Sequence, residues 1–298
     1  MSNAARTMLH RHGGTLVAAQ GPLYWIYENE TLVERDSNGV RGVGLRKNAN
    51  DKKHKRTGTV TQNFSVERPV ESMRLITWNC NLNLKSKFEK IESLSPHMVV
   101  IQECEHLPKD YFPNATYYWT GRNEKKGLGI LIFEGSGSVD SRFNEDLIYY
   151  LPIHSDFGSI LGVWSFNHRA KQRFTGEVEG HVVPAIAHYK EFLEKESTVG
   201  VVGDFNNSVI WDKASSKYTF SNAIHQLSEM GFESAYHKMS AEDFGEEKLS
   251  TLFHTKNADK GYHIDYLFLR QHGVVTVGDF QDWIKYSDHM PMMVDINL

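Results

Sequence analysis

The sequence predicts a mixed α/β fold, and three observations lead to this prediction. Short apolar runs that end in polar residues recur along the chain, as buried strands do when they carry polar side chains at one end. Apolar residues at helical spacing lie between several of these runs. Hydrophobic residues make up 40% of the 298 positions, which is ample for a globular core.

The clearest strand covers residues 199 to 207, which read Val-Gly-Val-Val-Gly-Asp-Phe-Asn-Asn. An apolar run without alternation suits a strand buried on both faces, and the polar residues that follow suit a turn. This turn would place Asp204 beside Asn206. A carboxylate can accept a proton or hold a cation, and a carboxamide can donate hydrogen bonds. Because surface turns also use Asp and Asn for conformational reasons, this motif alone does not establish a site.

Two further strands have the same pattern. Residues 73 to 81 end in Asn79 and Asn81, and residues 98 to 103 end in Glu103. Each is predicted to be a strand with polar side chains at its end. Each of these residues has an ordinary alternative as a strand terminus or a surface group.

The C-terminal part adds an acidic residue and a histidine. Asp265 lies inside an otherwise apolar strand, and Asp288 and His289 follow Ser287 just before the closing apolar run. A buried carboxylate is costly unless it is paired. We therefore predict that Asp265 pairs with a histidine, which it would hold in one tautomer and make more basic.

The rest of the chain from residue 73 onward alternates predicted strands and helices. Pro96 stops the first predicted helix, and Gly231 ends the last one. The predicted strands are residues 117–119, 128–133, 147–151 and 160–166, and the predicted helices are residues 84–94, 182–196 and 220–230.

Residues 1 to 72 differ in composition. They contain 11 Lys and Arg against 7 Asp and Glu, whereas residues 73 to 298 contain 22 (33 minus 11) against 30 (37 minus 7). We predict a domain boundary there, with an N-terminal segment that is partly disordered or forms a small β-meander and a catalytic domain over residues 73 to 298. Residues 46 to 56 form a basic run, either an arm for a phosphate backbone or a flexible tether. We favour the tether, because no aromatic residues interleave with the charges.

Composition excludes several other classes. No apolar run is long enough for a membrane span, and the N-terminus does not have the pattern of a signal peptide, so we expect a soluble, monomeric, cytoplasmic protein. Cys80 and Cys104 are expected to be small buried residues in a reducing compartment. His181 and His188 have neither the spacing nor the helix context of a recurrent zinc motif.

The ordered set Thr-Trp-Asn, Gln-Glu, Gly-Asp-Phe-Asn, Ile-Asp-Tyr and Ser-Asp-His resembles the endonuclease/exonuclease/phosphatase superfamily. The match extends from Trp78 to His289 and covers nearly all of residues 73 to 298. The resemblance implies a four-layer α/β sandwich, in which two mixed β-sheets pack face to face with helices outside. It also implies that the site lies where the strand ends meet.

The resemblance assigns roles to the polar residues. Hard oxygen ligands without a cysteine or histidine cluster suit Mg²⁺ or Mn²⁺, with Glu103, Asn79 and Asp288 as the predicted metal ligands. Asp204 would orient or deprotonate a water, and how the base role divides between Asp204 and His289 stays open. The other implied members are Asn206 and His289 as donors to the phosphoryl group, Asp265 as the partner of His289, Asn81 in substrate binding, and either His168 or Trp164 at a position that is usually His or Tyr.

The implied activity is metal-dependent hydrolysis of a phosphodiester by in-line attack of water, most plausibly in a nucleic acid and in DNA rather than RNA. Glu105 stands where AP endonucleases often carry a lysine, which weakens an abasic-site interpretation. Residues 73 to 298 are net acidic, whereas tight, unspecific binding of duplex DNA normally uses a basic surface. The alternatives are a phosphatase or phosphodiesterase for a small-molecule or lipid-headgroup phosphate, and a non-catalytic binding module on the same fold.

Overall fold

The structure is a computed structural model, and it describes residues 72–147, 149–166, 180–216 and 218–297, together with the backbone of four strands between residues 15 and 42. The chain divides into two compact units, Met1–Ser65 and Val66–Leu298.

The first unit contains one four-stranded antiparallel sheet in the order β1-β2-β3-β4. The four strands pair in chain order, which is the arrangement of a β-meander. The basic run of residues 46 to 56 lies outside the described residues. The strands are β1 (Thr15–Val17), β2 (Tyr24–Glu28), β3 (Thr31–Asp36) and β4 (Gly39–Gly42).

The second unit contains two six-stranded sheets, which we call the first and the second sheet. In spatial order the first sheet consists of β13 (Glu233–Ser234), β16 (Asp265–Leu269), β12 (Thr198–Asp204), β11 (Ser159–Trp164), β10 (Tyr150–Ser155) and β9 (Gly137–Val139). The second sheet consists of β17 (Gly273–Val277), β18 (Met292–Asn297), β5 (Ser72–Asn79), β6 (Met98–Cys104), β8 (Lys126–Ile132) and β7 (Thr116–Asn123). A small hairpin, β14 (Leu252–Phe253) with β15 (Gly261–Tyr262), stands apart from both.

Both sheets are mixed. β11 and β12 run parallel in the first sheet, β5 and β6 run parallel in the second, and the other pairs are antiparallel. Each parallel pair is joined by a crossover that contains helix, as parallel strands require. The carboxyl ends of β5 and β6, and those of β11 and β12, thus each lie together at one edge.

The core divides by strand alternation into three apolar layers. One layer combines residues of both sheets, such as Leu75 and Val202, and so fills the space between them. A second lies between the first sheet and helices that include Phe220–Glu229, and a third lies between the second sheet and helices that include Phe88–Glu92. The second unit therefore has four layers, helix, sheet, sheet and helix, and the predicted α/β sandwich is confirmed.

The helices are shorter than the sequence patterns predict. The pattern over residues 182 to 196 forms two helices, because the chain departs from helical geometry at Tyr189. Residues 147 to 151 are not one strand, since a 3₁₀ turn ends at Leu147 and β10 begins at Tyr150. The described α-helices are Phe88–Glu92, Val182–His188, Lys190–Leu193, Phe220–Glu229, Ala235–Ser240 and Phe280–Trp283. Within the described part of the chain, no helix combines the length and apolar character that crossing a membrane demands.

Candidate active site

Strand alternation directs one set of polar side chains into the space between the sheets. Asn79 continues the inner face of β5 after Leu75, and Asp204 continues the inner face of β12 after Val202. Asp265 begins the inner face of β16, directly opposite Asp204 in the strand register. The inter-sheet core is apolar along its length and becomes polar at this end, which is the candidate site.

Asp204 connects the two sheets at the site. It is completely buried, and its Oδ2 accepts hydrogen bonds from Asn79 Nδ2 on the second sheet (3.0 Å) and from Asn206 Nδ2 (2.9 Å). Its Oδ1 accepts from the backbone N–H of Asn206 (2.8 Å). The Asn206 amide also donates to Ser165 O (3.0 Å), so in this structure Asn206 holds Asp204 in place. The structure brings the predicted Asp204, Asn206 and Asn79 together.

The backbone around Asp204 requires the residues that the motif contains. A Cβ atom at Gly203 would lie 1.8 Å from the carbonyl oxygen of Val163 on β11, so only glycine fits between these strands. Asn206 has a φ of 46°, in the left-handed region, which asparagine tolerates better than most residues. This local geometry turns the Asn206 side chain back toward Asp204.

The predicted pairing of Asp265 with a histidine is present. His289 Nδ1 lies 2.9 Å from Asp265 Oδ2, and both side chains are buried. Two hydroxyl groups fix the pair: Thr251 Oγ1 accepts from the backbone N–H of Asp265 (3.1 Å), and Ser287 Oγ accepts from the backbone N–H of His289 (3.0 Å). Ser287 also donates to Asn79 O (2.7 Å), which links this loop to the second sheet.

The buried charges shift one another's pKa values. Burial and the nearby Asp265 carboxylate raise the pKa of Asp204 to about 7, against the opposing effects of His289 and of hydrogen bonds from Asn79 and Asn206. Burial acts to lower the pKa of His289, but the charge and hydrogen bond of Asp265 outweigh it and raise that pKa to about 10. Asp265 therefore keeps the His289 side chain positively charged. This imidazolium lies close to the carboxyl group of Asp204, whose pKa is near neutral pH.

Glu103 reaches the site through a β-bulge. Alternation after Val99 and Ile101 would direct it toward the helices, but the register between β6 and β8 shifts between Gln102 and Cys104, and Glu103 has a φ of 59°. Its Oε1 then lies 3.0 Å from Nζ of Lys126, which alternation along β8 places on the inner face. The bulge thus turns the Glu103 carboxylate to the inner face of the second sheet, where it contacts Lys126.

Asn81 lies on a strained loop and contacts Asp288, which comes from the segment before β18. Asn81 Nδ2 donates to Asp288 Oδ1 (2.9 Å), and the loop has three consecutive left-handed residues, Asn81, Leu82 and Asn83 (φ 49°, 65° and 55°). The ammonium of Lys87 donates to the carbonyl oxygens of residues 80, 81 and 82, at 2.5, 3.2 and 2.8 Å.

Glu105 stabilises the other end of this loop. It accepts hydrogen bonds from the backbone N–H groups of Leu84 (2.7 Å) and Lys85 (3.0 Å). Glu105, which stands where AP endonucleases often carry a lysine, thus binds the backbone of this loop.

Of the two candidates for the position that is usually His or Tyr, Trp164 is the residue directly opposite Asp204 in the parallel register of β11 and β12. His168 lies outside the described residues. Sequence reasoning missed Lys126 and Lys87 as neighbours of the site, since neither stands in a motif. It also left Thr251 without a role, because that role depends on a contact 14 positions away.

The donors present suit a divalent cation of the magnesium type, since they include carboxylates and amide oxygens without a thiol. One oxygen of Asp265, Oδ1, is buried without a hydrogen-bond partner in the described structure. Ligand atoms of Asp204, Asp265 and His289 lie within 4.8 Å of one another, and in the described ranges no other trio of His, Cys, Asp or Glu is so arranged. The carboxylate oxygens of Asp204 and Asp265 are therefore compatible with a bound cation, whereas His289 as an imidazolium has no lone pair to offer.

No family model and no curated protein sequence matches the chain. Solved structures do match it, at low sequence identity. A 3'-5' exonuclease (NExo) from Neisseria meningitidis aligns at a TM-score of 0.56 and 15% identity, over 76% of this chain and 100% of that one. An AP endonuclease from Archaeoglobus fulgidus gives 0.57 and 15% over 76% and 100%, and AP endonuclease LMAP from Leishmania major gives 0.54 and 11% over 76% and 88%. The chain therefore has the fold of the endonuclease/exonuclease/phosphatase superfamily.

Proposed function

We propose that this protein is a divalent-metal-dependent phosphodiester hydrolase and that its substrate is a nucleic acid, with DNA favoured over RNA. The observation that carries the proposal is the buried cluster of Asp204, Asp265 and His289, which the neighbouring strands β12 and β16 and the segment before β18 bring together. The fold agrees with this, and similar solved structures are named as an exonuclease and AP endonucleases. These names are the reason for ranking nucleic acid above a small phosphodiester.

In this proposal Glu103, Asn79 and Asp288 hold Mg²⁺ or Mn²⁺. A divalent ion held there would neutralise charge at a phosphoryl oxygen and would stabilise the leaving group. Asn81 orients Asp288 through its 2.9 Å hydrogen bond and lies at the substrate side of the site. The ion-binding role of these residues is supported by their oxygen donors and their position at the end of the second sheet.

Asp204 orients the attacking water and accepts its proton. A pKa near 7 suits a general base that works near neutral pH. Asn79 and Asn206 fix the orientation of the carboxylate, so little reorganisation is needed during the reaction. Donation from Asn206 directly to substrate stays a prediction.

His289 donates to the charge that builds on the phosphoryl oxygens. Asp265 occupies Nδ1, which leaves Nε2 as the donor that faces substrate. Asp265 lies opposite Asp204 on the neighbouring strand. One pair of strands therefore positions the proposed base, Asp204, and the carboxylate that orients the proposed donor, His289. The arrangement supports in-line attack of water on a phosphodiester.

The test uses bis(p-nitrophenyl) phosphate with Mg²⁺ or Mn²⁺. We expect hydrolysis that stops in chelator and is lost in Glu103→Ala, since Glu103 is the proposed metal ligand. Glu233→Ala is the matched control, because Glu233 is paired with Lys238 at 3.1 Å on the surface much as Glu103 is paired with Lys126. Activity that survives chelator, or that returns only with zinc, contradicts the assignment.

The same preparations should be tested on supercoiled plasmid, single-stranded DNA, RNA and a panel of phosphomonoesters. Cleavage of DNA at the highest kcat/KM supports the proposed substrate. Turnover confined to phosphomonoesters or to small diesters favours the alternative of a small-molecule phosphatase or phosphodiesterase. Nucleic-acid binding without turnover on any substrate favours a binding module.

A further inference from the structure

Lys126 lies in the site without any role in the proposed reaction. It begins β8, where alternation with Leu128 and Ile130 places it on the inner face, and these two residues belong to the core between the sheets. Its side chain is 41% exposed, so the stem is partly covered while the ammonium reaches solvent. The strand thus delivers a cation to the polar end of the inter-sheet space.

Two groups hold the Lys126 ammonium there, one from each sheet. Glu103 Oε1 lies 3.0 Å away on the second sheet, and the ring centroid of Trp164 on the first sheet lies 5.2 Å away. Trp164 is 4% exposed and packs edge-on against Tyr149, with ring centroids 4.8 Å apart. A cation over a fixed indole ring is attracted to its face, so Trp164 limits where the ammonium can go.

This position matters because Trp164 stands directly opposite Asp204. A tryptophan there presents an apolar ring face, where the superfamily resemblance leads us to expect His or Tyr. The Lys126 ammonium lies over that face and brings three N–H donors and a full charge to the same place. The lysine and the tryptophan together place a cationic donor over the ring of the residue that neighbours Asp204 in the strand register.

The charge balance of the unit supports a substrate role. Residues 73 to 298 carry 22 Lys and Arg against 30 Asp and Glu, so a substrate phosphate meets a net negative protein. The hairpin that joins β7 to β8 is locally basic, because Arg122, Lys125 and Lys126 outnumber Glu124. Arg122 also acts electrostatically on Tyr149, which packs against Trp164. This hairpin brings positive charge to an otherwise acidic site.

We propose that Lys126 is a substrate-binding residue that contacts a non-bridging oxygen of the substrate phosphate, with Trp164 as the surface that positions its ammonium. This rests on the proposed phosphodiester hydrolysis. Until substrate and cation arrive, the ion pair with Glu103 keeps the carboxylate neutralised. An exposed ion pair by itself would contribute little to stability, so its position at the site is better explained by binding.

The test compares Lys126→Met, which keeps the stem over Trp164 but removes the charge, with Lys126→Arg, which keeps the charge. Lys238→Met is the control, because Lys238 pairs with Glu233 at 3.1 Å with similar exposure and lies outside the site. With bis(p-nitrophenyl) phosphate we expect Lys126→Met to raise KM about tenfold or more with a smaller change in kcat, the scale of a charge-assisted hydrogen bond. Lys126→Arg should recover most of the loss.

Two calorimetric titrations need no turnover. Inorganic phosphate should bind Mn²⁺-saturated Lys126→Met about tenfold more weakly than the original protein. Mn²⁺ alone should bind Lys126→Met as tightly or more tightly, because a competing cation has left Glu103. The same phosphate affinity in both proteins overturns the proposal. So does a loss of Mn²⁺ affinity that matches the loss of phosphate affinity, because Lys126 would then act only through Glu103.

The two proposals fail in different ways. If the original protein hydrolyses no diester, the proposed function fails, while the phosphate titration still decides whether Lys126 binds phosphate. If the original protein is active and Lys126→Met has unchanged KM and phosphate affinity, only the inference about Lys126 fails. A spectral change of Trp164 fluorescence on adding phosphate, identified by its absence in Trp164→Phe, would locate the binding event at this ring.

Discussion

Substitutions of Asp265 and of His289 should change the free energy of unfolding by different amounts, although both residues act together in catalysis. His289→Ala leaves the Asp204 and Asp265 carboxylates opposite each other and buried without their cation. Breaking a buried pair in this way costs about 3 to 5 kcal/mol. Asp265→Asn removes one of the two carboxylates and so relieves the repulsion that raises the pKa of Asp204. We expect Asp265→Asn to lower the free energy of unfolding by about 2 kcal/mol or less, because the relieved repulsion offsets part of the lost ion pair.

The double variant gives the sharpest result. With Asp265→Asn and His289→Ala combined, only one buried carboxylate is left, so the protein should be more stable than His289→Ala alone. Turnover should not recover, because the donor is still missing. Each single variant should lose about a hundredfold or more in kcat, and the double variant should be little worse than the worse single one.

The assay is urea unfolding in chelator, so that no cation contributes, together with kcat on bis(p-nitrophenyl) phosphate for the same preparations. Glu247→Gln is the control, since His237 and Glu247 form another buried pair at 3.1 Å with nearly the same exposure as Asp265 and His289. It should lose stability and keep its turnover per folded molecule. The reasoning is refuted if the double variant is less stable than His289→Ala, or if turnover follows stability across the whole set.

Two further substitutions test the backbone of the site. Gly203→Ala should destabilise the protein by about 3 kcal/mol, read from urea unfolding, because its Cβ would meet the carbonyl oxygen of Val163 at 1.8 Å; an unchanged midpoint would show that β11 and β12 can separate without cost. Lys87→Met should lower the free energy of unfolding by about 1 to 2 kcal/mol and should also lower kcat, because three carbonyl oxygens of the loop that carries Asn81 lose their donor. A loss of stability with normal kcat would mean that this loop contributes to the fold alone.

The sequence indicated that Asp265 pairs with a histidine, because a carboxylate inside an apolar strand needs a partner, and the superfamily resemblance identified this histidine as His289. The sequence also indicated that Asp204 and Asn206 would be neighbours, since only Phe205 separates them at the turn. These predictions depended on local pattern and on the cost of burying charge. Both are visible in one sequence.

Other features depended on contacts between the sheets, which no local pattern contains. Nothing in the sequence around Trp164 and Lys126 indicates that the Lys126 ammonium lies over the Trp164 ring. The two residues are 38 positions apart (164 minus 126) and belong to different sheets. The break at Tyr189 is equally hidden, since the apolar residues over 182 to 196 keep helical spacing through it. Periodicity identifies buried faces, and it does not fix where a helix stops when tertiary packing decides.

The bulge at Glu103 has a consequence for sequence change in this chain. Deleting Glu103, the one residue between Gln102 and Cys104, would restore regular pairing of β6 with β8 but would remove the carboxylate that faces Lys126. Insertions and deletions near this point should therefore abolish activity even where the apolar core tolerates them. Homologous chains that keep the chemistry are expected to keep the spacing from Met98 to Glu103 more strictly than the identity of the apolar residues between them.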